Sequence, residues 1–313
     1  MTRVIRSAEA IEKGYFCFTD MPYSDFLEDP FVASQKLNTY DEMHPSRWIV
    51  EPVDHAVVSL CRYKYPDRDR IIFVGLSAQG DVAFIGQQEG FVERIAGAGL
   101  DEDDSEGFGL MNRIRQIGNR LYATGGGGQI YRREERGRWV HIDDGLLLPA
   151  SQRGKIFRTL SDINGLREDD IYVVGDKGLI GWFDGVAWHT IQSPVDERLH
   201  AIAIESDDII WICGKNGTLL KGNAREGFVD VSRIHDNDDF LSVARFDGRI
   251  YLARETGLSV YDGTRIDPVV TGLKPPLRDG QFLDSVDDVL WSFGYNDIVR
   301  FDGTTWVRFP TGP

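Results

Sequence analysis

Apolar residues along this chain come in short runs separated by tight polar turns, with little sign of helical periodicity. Residues 242–270 show the unit most clearly. Ser242-Val243-Ala244-Arg245 is followed by a turn at Asp247-Gly248, then Ile250-Tyr251-Leu252-Ala253, a turn ending at Gly257, Leu258-Ser259-Val260-Tyr261, a turn at Asp262-Gly263, and a fourth run from Ile266. Asp-Gly between apolar runs is a strong hairpin signal, because these turns need the positive φ that glycine adopts without a Cβ clash. Four such runs joined by three turns predict a four-stranded antiparallel meander.

The unit recurs about every forty residues, the mark of modules that must stack to bury their apolar faces. Its second run carries an aromatic at Phe73, Tyr122, Tyr172, Trp211, Tyr251 and Trp291, and wider early spacings place insertions there. Turn residues recur at matching places: Asp169-Asp170, Asp207-Asp208, Asp247-Gly248 and Asp287-Asp288 after the first run; Lys177-Gly178, Asn216-Gly217 and Thr256-Gly257 after the second; Asp184-Gly185, Asp262-Gly263 and Asp302-Gly303 after the third. Fourth runs begin near Trp139, Trp188 and Trp306. Four-stranded meanders at this period are propeller blades, so the chain is expected to be an all-β propeller whose large aromatics wedge between blades.

Six blades are visible, and the N-terminal segment supplies a candidate seventh, which makes seven the favoured count. Trp48 to Asp54 echoes Trp188 to Pro194 and reads as a fourth strand before a blade starting near Ala56. Residues 1–50 are therefore expected to form a degenerate blade or to close the ring, using Tyr15-Phe16-Cys17-Phe18, and residues 51–313 to form the propeller proper. The rest of the N-terminal segment reads as irregular or briefly helical, with Asp29 as an N-cap before Pro30.

The stretches IYVVGDKGLIGWFDGVAWHTI and VLWSFGYNDIVRFDGTTWVRF resemble YVTN/BNR-like and two-component-regulator propeller repeats. The resemblance covers residues 70 to 310 and implies the fold; such repeats serve sensors, assembly factors and glycan-cleaving enzymes alike, so it implies no single activity. The sialidase Asp-box is not matched, since Asp302 and Gly303 are adjacent, and the WD40 Gly-His and Trp-Asp pairs are missing.

Charge narrows the partners. Thirty-five Lys and Arg against fifty Asp and Glu give a formal charge of -15, which repels nucleic acid and anionic membranes and attracts basic proteins. Cys17, Cys61 and Cys213 are widely spaced and read as free, packed thiols. No signal-peptide or membrane-spanning stretch stands out, so cytoplasmic residence is expected, as a monomer when unbound.

Signatures of catalysis or of a cofactor fail on inspection. Thr124-Gly125-Gly126-Gly127-Gly128 lacks the Gly-Lys-Ser/Thr of a phosphate loop and leads back into a strand at Gln129, so it reads as a hairpin turn. Asp101 to Gly107 departs from a calcium loop, with Glu106 where Gly belongs and Asn112 where Glu belongs. The six histidines make no zinc spacing, and no nucleophile elbow is present. The chain reads as a non-enzyme without metal or cofactor.

Partner-binding candidates come from the links between blades, which share a face with the turns between second and third strands. These links carry Asp101, Glu102, Asp103, Asp104 and Glu106; Asp143 and Asp144; Asp196 and Glu197; and Asp236, Asp238 and Asp239. One adds an apolar tract, Leu146-Leu147-Leu148, which either stands out as a docking anchor or folds back on the blade edge. The expected function is a non-enzymatic scaffold for a basic protein partner, specifically an immunity protein that covers the active site of a basic toxin such as a nuclease. The alternative is an enzyme acting on a glycan or small molecule at the mouth of the central channel.

Overall fold

Tight turns divide the chain into β1 to β28, one short α-helix and two single 3-10 turns in the computed structural model, which describes residues 3–31, 35–86, 90–101, 103–152, 158–232 and 238–312. Blade 1 holds β1 (Arg3–Glu12), β2 (Tyr15–Pro22), the helix α1 (Tyr23–Glu28), β3 (Gln35–Asp41) and β4 (Trp48–Val53). Blade 2 holds β5 (Val57–Lys64), β6 (Ile71–Ser77), β7 (Asp81–Ile85) and β8 (Phe91–Arg94); blade 3, β9 (Met111–Ile117), β10 (Arg120–Gly125), β11 (Ile130–Glu135) and β12 (Arg138–His141). Blade 4 holds β13 (Leu160–Arg167), β14 (Asp170–Gly175), β15 (Ile180–Phe183) and β16 (Trp188–Ile191); blade 5, β17 (Leu199–Ser206), β18 (Ile209–Gly214), β19 (Leu219–Asn223) and β20 (Gly227–Asp230). Blade 6 holds β21 (Phe240–Phe246), β22 (Arg249–Arg254), β23 (Gly257–Tyr261) and β24 (Ile266–Pro268); blade 7, β25 (Phe282–Val286), β26 (Val289–Phe293), β27 (Ile298–Phe301) and β28 (Trp306–Phe309).

Every sheet pairs its four strands antiparallel in chain order. The first strands touch one another around the ring and line the central channel. The protein is thus an all-β, seven-bladed propeller, and Arg3 to Val53 form a complete blade. One local expectation fails: Asp29 ends α1 instead of opening a helix, because its carboxylate accepts the Phe31 N–H at 2.8 Å in a tight turn.

The turns use the predicted chemistry. Asp247 and Gly248 (φ 47° and 72°) and Asp287 and Asp288 (φ 47° and 57°) all take positive φ, as hairpin twist requires. Asp184, Asp262 and Asp302 each accept two backbone N–H groups, from Val186 and Ala187, Thr264 and Arg265, and Thr304 and Thr305 respectively, at 2.7–3.0 Å. Each such aspartate closes its turn without a neighbour's help.

Apolar clusters between blades supply the core. Phe73, Tyr122, Tyr172, Trp211, Tyr251 and Trp291 are all buried, at 5% exposure or less, and each lies in a cluster shared with a neighbouring blade. Trp291 is wholly enclosed at the seam between blades 7 and 1, with ring centroids 4.8 Å from Phe16 and 4.9 Å from Phe309.

A second system of ties lies on the inner strands. Small polar side chains reach the backbone of the next blade: Ser7 Oγ accepts from Leu60 N (2.7 Å), Ser59 Oγ from Ile114 N (3.2 Å), and Ser242 Oγ from Leu283 N (3.1 Å). Asp162 accepts from Ile202 N (2.9 Å), and Asp284 closes the circle by accepting from Ala10 N (3.0 Å). These bonds fix the relative height of neighbouring blades at five of the seven seams, while the apolar clusters supply most of the adhesion.

Trp291→Ala should cost about 3–5 kcal/mol in urea unfolding, the usual range for a large buried aromatic, whereas Val186→Ala, at an exposed turn, should stay within about 0.5 kcal/mol. Equal costs at the two sites would contradict the seam as a principal source of stability.

Candidate functional site: the loop face and the channel

The antiparallel order of each blade puts two kinds of connection on one face: the turn between second and third strands, and the link to the next blade. Contacts between them confirm the arrangement, since Gly178 N donates to Glu197 O (2.8 Å) and Asn216 N donates to Asp239 Oδ1 (3.0 Å). Among the described residues, the candidate acids and the helix α1 all belong to this loop face.

The link after blade 2 is a built structure. Arg94 donates to the carbonyls of Gln79 and Ala98 and pairs with Asp104 at 2.7 Å; Asp104 also accepts from Gly97 N at 3.3 Å. Those bonds from Arg94 and the backbone hold the exposed Asp104 carboxyl below its usual range. Asp101 accepts from Gln79 Nε2 at 2.6 Å, and Glu106 donates its backbone N–H to Gly97 O at 2.9 Å. Asp101, Asp103, Asp104 and Glu106 are all exposed, so the link presents its acids to solvent while its backbone is fixed from below. Glu102 lies outside the described residues.

In the link after blade 3 the apolar tract takes the second of its two expected courses and folds back on the blade edge. Leu146 and Leu148 are buried, at 4% and 2% exposure, and Leu146 packs among Ile130, Ile163, Val173 and Phe183. The physical reason is the glycine turn beside it. A Cβ at Gly128 would stand 2.3 Å from Leu146 O, so glycine there lets the tract lie against the turn, with Leu148 N donating to Gly127 O at 2.7 Å. Leu147 is half-buried. Asp143 is likewise structural: it is 3% exposed and accepts from Ile130 N at 2.9 Å, with the His141 ring 2.9 Å away. Asp144 alone of that pair is exposed.

Near blade 6, Asp238 accepts from Thr256 Oγ1 at 2.7 Å and lies 3.6 Å from Arg254, and Asp239 caps Asn216 N. Both are half-buried; Asp236 lies outside the described residues. The structure therefore brings the candidates onto one face and divides them. Asp101, Asp103, Asp104, Glu106 and Asp144 face solvent, whereas Asp143, Asp238 and Asp239 brace the links.

The channel is charged. Asp162, with no side-chain exposure, is met by Arg115 in a two-pronged pair (2.9 and 3.0 Å) and by Arg113 at 3.2 Å. Burial alone would raise its carboxyl, but Arg115, Arg113 and the Ile202 N–H outweigh it, and the carboxyl lies below the usual range. Opposite, Arg62 reaches Glu9 at 3.8 Å and Asp284 at 3.5 Å, linking blades 2, 1 and 7. Burial first, and Asp284 second, push the Glu9 carboxyl up to about 8 against the pull of Arg62 and Arg115. A 360 Å³ cavity lined by Glu9, Cys61, Arg62, Lys64, Arg115 and Gln116 opens here, near the turns on the face opposite the links. Sequence reasoning missed this network; its signal was a polar or charged residue recurring in otherwise apolar first strands.

Among solved structures, virginiamycin B lyase from Staphylococcus aureus superposes with a TM-score of 0.69 at 11% identity, covering 93% of this chain and 92% of that one. YCF48 bound to D1 peptide gives a TM-score of 0.64 at 14% identity, covering 99% and 92%. These likenesses establish the class, a seven-bladed propeller, and nothing about activity. No protein-family model matches the chain. The immune protein Tsi7 of Pseudomonas aeruginosa is 32% identical over 305 residues, 94% of this chain and 95% of its own length, and the chain belongs to that protein's family.

The Glu9 carboxyl sets a pH dependence. An unfolded glutamate loses its proton near pH 4.5 while the folded one holds it to about 8, so the folded state binds the extra proton between these values and stability falls as pH rises through them. Melting temperatures should decline from pH 5 to 8.5, and Glu9→Gln should flatten that decline. An identical slope in the variant would contradict the assignment.

Proposed function

We propose that this protein is the immunity partner of a protein toxin: a non-enzymatic scaffold of the YVTN/BNR-like repeat type whose loop face covers the toxin's working surface in the cytoplasm. The observation that carries the reading is the 32% identity to the immune protein Tsi7 across nearly the whole of both chains. The charge of -15 and the exposed Asp101, Asp103, Asp104, Glu106 and Asp144 support a basic toxin, such as a nuclease whose active site must attract phosphate. Acids on a fixed backbone can occupy such a surface as phosphates would, steering the encounter and blocking substrate.

The channel-mouth enzyme has one observation in its favour, the raised Glu9 carboxyl in a cavity with Asp284 near it. Both acids, however, are engaged in ties between blades: Asp284 with Ala10 N, and both with Arg62. A scaffold role accounts for that engagement; a catalytic role would need at least one of them released toward a substrate.

A tagged pull-down from native lysate should recover one basic protein at low salt and partly lose it at high salt. Charge reversal at Asp101, Asp103 and Asp144 should weaken its binding by about 2–5-fold each and flatten the salt dependence. Failure to enrich a basic protein would overturn the reading.

A further inference from the structure

The burial of Leu146 and Leu148 leaves the loop face without the apolar anchor expected in its links, yet the structure supplies one elsewhere. In blade 1 the connection between second and third strands carries α1, where the other blades have short turns. None of the residues of α1 is buried. Tyr23 is 47% exposed, Leu27 65% and, just beyond the helix, Phe31 42%. Large apolar side chains exposed singly need no explanation, but three within nine residues on one short protrusion do.

The protrusion is fixed in place. Phe26 lies under the Arg6 guanidinium at 4.5 Å and against the Tyr295 ring at 6.0 Å, and Arg6 also donates to Pro30 O at 3.4 Å. Phe26 thus pins α1 to the seam of blades 1 and 7. Its frame is acidic: Asp25, Glu28 and Asp29 interleave with the apolar residues, and Glu255 and Asp279 lie close enough to act on the Tyr295 hydroxyl. Exposed apolar groups on a pinned helix, interleaved with Asp25, Glu28 and Asp29 and with the cation Arg6 held against Phe26, have the make-up of an interface hot spot, where the apolar centre supplies affinity and the surrounding charge selects the partner.

We infer that α1 is the apolar anchor by which the loop face seats its basic protein partner, with Tyr23, Leu27 and Phe31 entering an apolar depression bordered by Lys and Arg on that partner. The inference rests on the reading of the chain as an immunity protein and names the part of the face that holds the toxin.

The test uses the full chain and the basic protein recovered in the salt-dependent pull-down. Tyr23→Ser and Leu27→Ser, which leave every charge and every buried residue in place, should each weaken its binding by about tenfold or more with the melting temperature unchanged. The photo-crosslinker p-benzoylphenylalanine at position 23 or 27 should join that protein, whereas at position 186, exposed on the opposite face, it should not. Undiminished affinity of both serine variants, or crosslinking from position 186 alone, would overturn the inference and leave the immunity reading standing. Absence of any basic partner for the wild-type chain would overturn both.

Discussion

A ring of stacked blades holds only if its last member grips its first, and here that grip is made mainly by side chains, because each sheet is built from four consecutive strands and none is shared between blades 7 and 1. Phe16, Phe18, Tyr40 and Trp48 of blade 1 meet Trp291, Phe293 and Phe309 of blade 7 in one aromatic cluster. Directional bonds fix the register of the seam: Ala10 N to Asp284, Ile5 N to Tyr295 O, Lys13 N to Asp287, and Arg300 to Lys13 O. Burial supplies the adhesion and the hydrogen bonds supply the alignment, since an apolar cluster alone tolerates sliding. The loop face inherits its geometry from this closure. Links positioned by different blades can act as one surface only while the blades hold a common height.

Much of this was legible because turn chemistry is local. Asp247-Gly248 and Asp302-Gly303 report a backbone requirement that no distant contact can waive, and the aromatics at Phe73 through Trp291 recur at one strand position. Blade 1 was harder to read, since it lacks Asp-Gly turns and interrupts its meander with α1. Asp29 misled for a related reason. An aspartate before a proline satisfies the local rule for a helix start, but its carboxylate is equally suited to closing a turn after a helix end, and the chain's return to β3 selects the second use.

The candidate site was legible in charge and not in burial. A sequence shows that acids cluster in links, but Asp143 and Asp104 are indistinguishable there, although one is enclosed by Ile130 and His141 and the other is open. Leu146 to Leu148 suits either an anchor or a fold-back in sequence, because no tight turn needs such a tract; what decides for burial is the small volume of Gly127-Gly128 across the gap, a tertiary fact. The polar inner strands escaped notice because Ser59, Asp162 and Ser242 look like ordinary strand-edge residues until neighbouring blades stand beside them. Negative charge is therefore doing two jobs. In the channel Asp162 and Asp284 are balanced by Arg113, Arg115 and Arg62 and tie blades together, whereas on the loop face Asp101, Asp103, Asp104, Glu106 and Asp144 meet water.

The most direct measurement of the central claim is backbone amide exchange of the protein alone and with its captured basic partner bound. Slowed exchange at residues 23–31, 97–101 and 143–148, with no change at turns 168–170, 184–187, 247–248 and 302–305, is the predicted footprint. Protection of those turns with the links and α1 left as open as in the free protein would contradict the claim that the loop face is the surface this fold was built to present.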